Sequence, residues 1–173
     1  MTAHRQLIVM RHAKAGELPG GPDVERALRP RGRRNASAAG QWLAGQELVP
    51  DLVLCSKARR ARQTWQYVAA ELDGEPEVVN DMRLYQADAD DLLGIFAETR
   101  PQVRNLMYVG HNPAAADVTG ILTGGSVDFP TAAIAIIGLE ADWPSLAGDP
   151  AGAGDLISCW RPQRGDEPPE PDA

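Results

Sequence analysis

Four short apolar runs, each followed by a segment of helical periodicity, constrain this chain more than any other feature. The runs 7–10, 51–55, 76–79 and 105–109 are four or five residues long and rich in Val, Ile and Leu, the size of buried strands. Between them, alanines with Trp42, Leu43 and Leu48 recur at helical spacing over 33–48, and Ala61, Trp65, Val68 and Leu72 share one face of 58–72. Leu92, Leu93 and Phe96 do the same over 88–99, where the aspartates at the start suit a helix N-terminus. A helix over 113–122, stopped by Gly124-Gly125, precedes two more apolar runs, 132–139 and 156–160. Strands that alternate with helices predict a three-layer α/β/α sandwich around a mostly parallel, mixed central sheet.

At 173 residues, 43% of them hydrophobic, the chain can build one sizeable core and is short for two. The expectation is a single domain over 1–161 and a disordered tail over 162–173, which is rich in Pro, Asp and Glu and holds no apolar run. The first apolar run is too short for a signal peptide or a membrane span, which predicts a soluble, cytoplasmic protein with no membrane partner. A formal net charge of −7 argues against a nucleic-acid partner. The arginines cluster at 26–34 and 59–62, and within an acidic chain such clusters point to a local anion site. With three histidines and neither H-x-H nor C-x-x-C, no bound metal or other cofactor is expected. Cys55 and Cys159 sit inside apolar runs and read as buried, reduced thiols. Nothing in the chain sets an oligomeric state.

The first run ends in Arg11-His12-Ala13-Lys14. Ligands of open α/β sheets bind beyond the carboxyl ends of the strands, which is where both side chains point. Arg11 can hold a phosphate or carboxylate through paired hydrogen bonds, and a neutral His12 is a nucleophile at physiological pH. Arg60 falls in the first turn of the helix after the second strand, a position the helix dipole disfavours for a cation unless an anion lies beside it. Ser56 reads as that helix's N-cap. The fourth strand runs into Gly110-His111-Asn112-Pro113, with Asn112 as a cap and Pro113 as the first helical residue. His111 therefore occupies the same topological position as His12. Most such arginines and lone histidines are solvated faces and inert loops, but two histidines at matching strand ends are harder to dismiss.

Four segments together resemble the histidine phosphatase superfamily, and within it the SixA-like phosphohistidine phosphatase branch of phosphoglycerate-mutase-like fold. They are residues 7–15, with Arg11-His12-Ala13; Arg26-Ala27-Leu28 with Gly32 downstream; residues 55–64, with Arg60 at the family's phosphate-binding arginine; and residues 109–113, with His111. Their order and spacing, over roughly residues 6–160, are the family's. The resemblance implies a metal-independent phosphatase in which His12 attacks phosphorus and becomes a phosphohistidine that water hydrolyses. Arg11, Arg26, Arg60 and His111 would surround the phosphoryl oxygens. Arginines supply the positioning and charge stabilisation that phosphoryl transfer needs.

One departure bears on substrate. Many members carry a glutamate acid after the third strand, where this chain has Leu84-Tyr85-Gln86. Asp81, Asp88 and Asp90 are the alternative acids nearby. An alkoxide leaving group, whose conjugate acid lies near water's pKa of about 15.7, needs a proton donor. Imidazole, with a pKa of about 6.5, needs one far less. A phosphohistidine on a protein is therefore the expected substrate, and a small phosphomonoester such as a sugar phosphate or nucleotide is the alternative. Two further readings stand beside it. One is a cysteine phosphatase using Cys55, in which the arginine expected six positions on is Ala61; the other is a phosphate-binding module without turnover.

Overall fold

A computed structural model describes residues 4–163, so the expected disordered tail lies outside the described residues except for Pro162 and Gln163. Six strands, β1 (Arg5–Arg11), β2 (Leu52–Ser56), β3 (Glu77–Asp81), β4 (Asn105–Gly110), β5 (Ile134–Leu139) and β6 (Gly154–Trp160), form one sheet in the order β3-β2-β4-β1-β5-β6. The pairs among β3, β2, β4 and β1 are parallel, while β5 joins β1, and β6 joins β5, antiparallel. The helices are α1 (Pro30–Gly45), α2 (Arg59–Ala69), α3 (Ala89–Ala97) and α4 (Ala114–Thr123). This is the expected mixed sheet between helical layers.

The layers follow from the direction in which the chain crosses the sheet. Right-handed crossovers put helices on one face while the strands step outward and on the other face when they step back. From β1 to β2 to β3 the chain moves toward one edge, and α1 and α2 cover one face. Ile8, Met10, Val53, Cys55, Met107 and Val109 pack there against Ala36, Leu43, Ala61, Trp65 and Val68. β4 then returns to the centre, and α3 and α4 cover the opposite face. Leu7, Val9, Leu54, Leu106 and Tyr108 pack there against Leu92, Phe96, Val118 and Leu122. Alternate residues of each central strand thus enter different cores, which is why these runs are apolar throughout.

Several boundaries differ from expectation for local reasons. α1 begins at Pro30, because a proline at the first helical position loses no hydrogen bond. It ends at Gly45, and Leu48 reaches the core from the following loop. α2 stops at Ala69 rather than at Leu72. α3 starts with a reciprocal capping box between Asp88 and Asp91, and α4 ends at Gly124 in the left-handed region, φ 72°. Cys159, expected to be buried, is exposed, because β6 is an edge strand whose outer positions are largely uncovered. Among the described residues no helix is long and apolar enough to cross a membrane.

Candidate active site

β1 and β4 are parallel with Arg11 opposite Gly110. The next residues, His12 and His111, therefore leave the sheet side by side, with ring centroids 5.2 Å apart. β2 lies on the other side of β4, and α2 begins three residues after its end, which brings Arg60 to the same place. All five residues singled out from the sequence, Arg11, His12, Arg26, Arg60 and His111, line one open pocket of about 480 Å³, together with Asp23, Tyr85 and Gln86 among others.

The His12 backbone is pinned on two sides: its N–H donates to the Gly110 carbonyl at 2.8 Å, and its carbonyl accepts from Ala132 N–H at 3.0 Å. Its Nδ1 lies 2.8 Å from the Ala13 carbonyl. A carbonyl can only accept, so Nδ1 carries the hydrogen and Nε2 keeps its lone pair. Burial pushes the His12 pKa down to about 3 against the Ala13 hydrogen bond, and His111, Arg60 and Arg11 push the same way. His12 is therefore a neutral imidazole at physiological pH. Arg60 directs its Nε at His12 Nε2 from 3.4 Å. His111 is held by Ser56, with 2.8 Å between Nε2 and Oγ, and burial, then Arg60, lowers its pKa to about 4.

The arginines are fixed by backbone carbonyls and by Asp23. Arg11 donates from Nη1 to the Phe129 carbonyl at 3.1 Å. Its Nε is buried without a partner among the described residues, and burial lowers its pKa. Arg60 is 6% exposed and donates from Nη1 to the Asp23 carbonyl at 2.9 Å and from Nη2 to Asp23 Oδ2 at 3.1 Å. Arg26 donates from Nε to Asp23 Oδ1 at 2.8 Å and from Nη1 to the Gly16 carbonyl at 3.2 Å. Tyr85 completes the cluster by donating its hydroxyl to Asp23 Oδ2 at 2.5 Å. The Tyr85 hydroxyl first, then Arg26 and Arg60, holds the Asp23 carboxyl down at about 2.

Asp23 is the residue that sequence reasoning missed. The available signal was an acid three positions before Arg26, an i, i+3 partner inside a basic stretch. Two further residues have roles that the motifs did not assign. Thr64, one helical turn after Arg60, donates to the Arg60 carbonyl at 2.7 Å and accepts from Ala13 N–H at 2.9 Å, tying α2 to the residue after His12. Ser56 is not the N-cap of α2, which is Ala58 without a side-chain bond. Its hydroxyl accepts from Ala58 N–H at 3.2 Å and holds His111. Likewise Pro113 rather than Asn112 is the N-cap of α4, although Asn112 Oδ1 accepts from Ala116 N–H at 3.3 Å. Gly32 is required by close approach, since a Cβ there would overlap the Lys14 carbonyl oxygen.

The model of the histidine phosphatase superfamily, branch 1, matches residues 7–119. The chain belongs to the histidine phosphatase superfamily. An uncharacterised protein of Mycobacterium leprae, ML1117, is 35% identical over 151 residues, covering 79% of this chain and 91% of that one. Among solved structures, the SixA protein of Nakamurella multipartitia is 28% identical with a TM-score of 0.81, covering 92% of this chain and 96% of that one. The protein histidine phosphatase SixA solved with tungstate is 25% identical with a TM-score of 0.74, covering 89% and 95%.

In this member of the superfamily the three aspartates considered as acids serve elsewhere. Asp81 pairs with Arg83 at 2.8 Å, Asp88 caps α3, Asp90 lies exposed in the first turn of α3, and none of them lines the pocket. Cys55 is buried inside β2 with its thiol pushed up to about 12 by burial, so it supplies no thiolate nucleophile. Among the described residues no group of three or more His, Cys, Asp or Glu is placed to hold a metal ion.

Proposed function

We propose that the chain is a metal-independent phosphatase that forms a phosphohistidine on His12 and takes the phosphoryl group from a phosphohistidine on a protein. The observation that carries this reading is the state of His12. Its Nδ1–H is committed to the Ala13 carbonyl, its ring is neutral, and Nε2 faces Arg60, which lines the same pocket. The substrate ring takes a proton from solvent on its other nitrogen, the Nε2 lone pair of His12 attacks phosphorus, and the bond from phosphorus to the substrate ring breaks so that a neutral imidazole leaves. Water then attacks the phosphorus on His12 and releases inorganic phosphate, which regenerates the free ring.

Arg11, Arg26, Arg60 and His111 meet the equatorial oxygens. An incoming oxyanion compensates the half-buried positive charge of Arg11, whose Nε has no partner among the described residues. The tungstate bound by the similar SixA protein is a tetrahedral oxyanion of the same kind as phosphate, which supports an anion pocket here. Removal of one such contact costs on the order of 10²- to 10³-fold in rate.

The leaving group favours phosphohistidine. The only carboxylate among the described residues that line the pocket is Asp23, which is ionised throughout the physiological range and has no proton to give. Gln86 has none either. An ester would leave as an unprotonated alkoxide, whereas imidazole leaves readily. The test is phosphate release from a histidine-phosphorylated protein and from a serine or sugar phosphate, with wild type and His12→Ala in parallel. Hydrolysis of phosphohistidine that disappears in His12→Ala is the expected result. Esters turned over with comparable kcat/KM would overturn the substrate reading.

A further inference from the structure

A second cavity of about 670 Å³ adjoins the catalytic pocket, and Lys14 and Thr131 line both. Beyond that shared edge it is lined by Arg31 from the first turn of α1, Asn35 one turn later, and Arg161 just past the end of β6. Three cations, Lys14, Arg31 and Arg161, thus face one cavity in a chain of net charge −7. Asp128 is the one acid among the described residues of the lining, and it pairs with Arg161 at 2.9 Å. Both partners of that pair are about two-thirds exposed, and exposed ion pairs hold their partners weakly. Arg161 can therefore turn from Asp128 to an incoming anion at little cost. Guanidinium groups match the planar oxygens of carboxylates and phosphates. A basic concavity on an acidic protein also concentrates anionic ligands there.

We infer that this annex binds a second anionic group of the substrate, a carboxylate or phosphate carried beside the phosphoryl group that enters the His12 pocket. The inference rests on reading that pocket as the phosphatase site, and it deepens that reading by making substrates with two anionic groups the preferred class. One source of the chemistry is an acidic side chain next to a phosphohistidine on a protein, and the other is the second phosphate of a small bisphosphate.

The test measures equilibrium binding to the full-length His12→Ala chain, which removes turnover. One ligand pair is a peptide bearing phosphoryltriazolylalanine, a stable phosphohistidine analogue, flanked by glutamates or by alanines. The other pair is fructose 1,6-bisphosphate and glucose 6-phosphate. In at least one pair the doubly anionic ligand should bind fivefold or more tightly than its partner, and adding Arg31→Ala with Arg161→Ala should erase that preference while leaving the singly anionic ligand's affinity in place. The pair that shows the preference identifies the source. Asn35→Asp, which adds a carboxylate to the annex, should reduce the same preference and gives an independent reading if the double variant folds poorly. A preference below fivefold in both pairs, or one that survives the substitutions, would overturn the inference. Failure of the phosphatase reading has a different signature, namely singly anionic ligands whose binding is indifferent to Arg60→Ala.

Discussion

Replacing Thr64 by valine tests whether the turn that carries His12 is held in place by α2. The substitution keeps the side chain's shape and deletes its hydroxyl. Thr64 and Ala13 are both fully buried, and the hydroxyl is the 2.9 Å acceptor for Ala13 N–H and a 2.7 Å donor to the Arg60 carbonyl. Valine leaves the Ala13 N–H buried without its acceptor, a loss of about 1–3 kcal/mol. For a chain of this length each kcal/mol moves the midpoint by about 2–4 °C, so Tm should fall by roughly 2–12 °C. Urea unfolding followed by tryptophan fluorescence should show a lower midpoint at unchanged slope. The consequence extends to chemistry, because the Ala13 carbonyl fixes the His12 tautomer. A displaced turn should lower kcat by about tenfold, within the roughly 10²-fold that a misplacement near 1 Å can cost. Thr64→Ser keeps the hydroxyl and should retain kcat. If valine costs less than about 0.5 kcal/mol, or if serine and valine lose equal activity, the reasoning is refuted.

Other perturbations have equally defined outcomes. Gly32→Ala drives a Cβ into the Lys14 carbonyl oxygen and should destabilise by about 1–3 kcal/mol through a forced backbone shift; denaturation at wild-type midpoint would contradict the close approach. His12 and His111 are held at about 3 and about 4, below the ordinary value near 6.5, so the unfolded chain binds more protons as the pH falls through that value. Their contribution to stability is therefore complete above about pH 6.5 and declines on acidification, by ~2 kcal/mol per histidine at pH 5. Urea midpoints at pH 7 and pH 5 measure this, and the paired substitution of both histidines by asparagine should flatten the difference. Cys55→Ser should keep phosphatase activity within a few-fold of wild type, and an inactive but folded variant would revive a thiol mechanism.

Much of the site is legible in the sequence because its parts are local. A strand that stops at Arg11-His12, a helix with Arg60 in its first turn, and Gly110-His111 at the end of a fourth strand are each readable within a window of about ten residues. The capping box at Asp88 and the left-handed stop at Gly124 are local in the same sense. The pairing of Asp23 with Arg26 is local, but the partners that place Asp23 at the centre of the site, Arg60 and Tyr85, lie 37 and 62 residues away, and no periodicity connects them. Ser56 reads as a helix cap because its neighbours along the chain allow that role, while its actual partner, His111, comes from another strand 55 residues on.

Local propensity and hydrophobic period, then, are enough to identify the strands, the helices and the candidate residues at the strand ends, because they depend only on near neighbours. Which strands touch, and in what register, depends on burial summed over the whole sheet. Arg11 opposite Gly110 is what turns two separate histidines into a pair, and the edge position of β6 is what leaves Cys159 in solvent. The proton on His12 is decided at the same level, since its tautomer and its depressed pKa come from a carbonyl and a burial that exist only once the chain has closed around it.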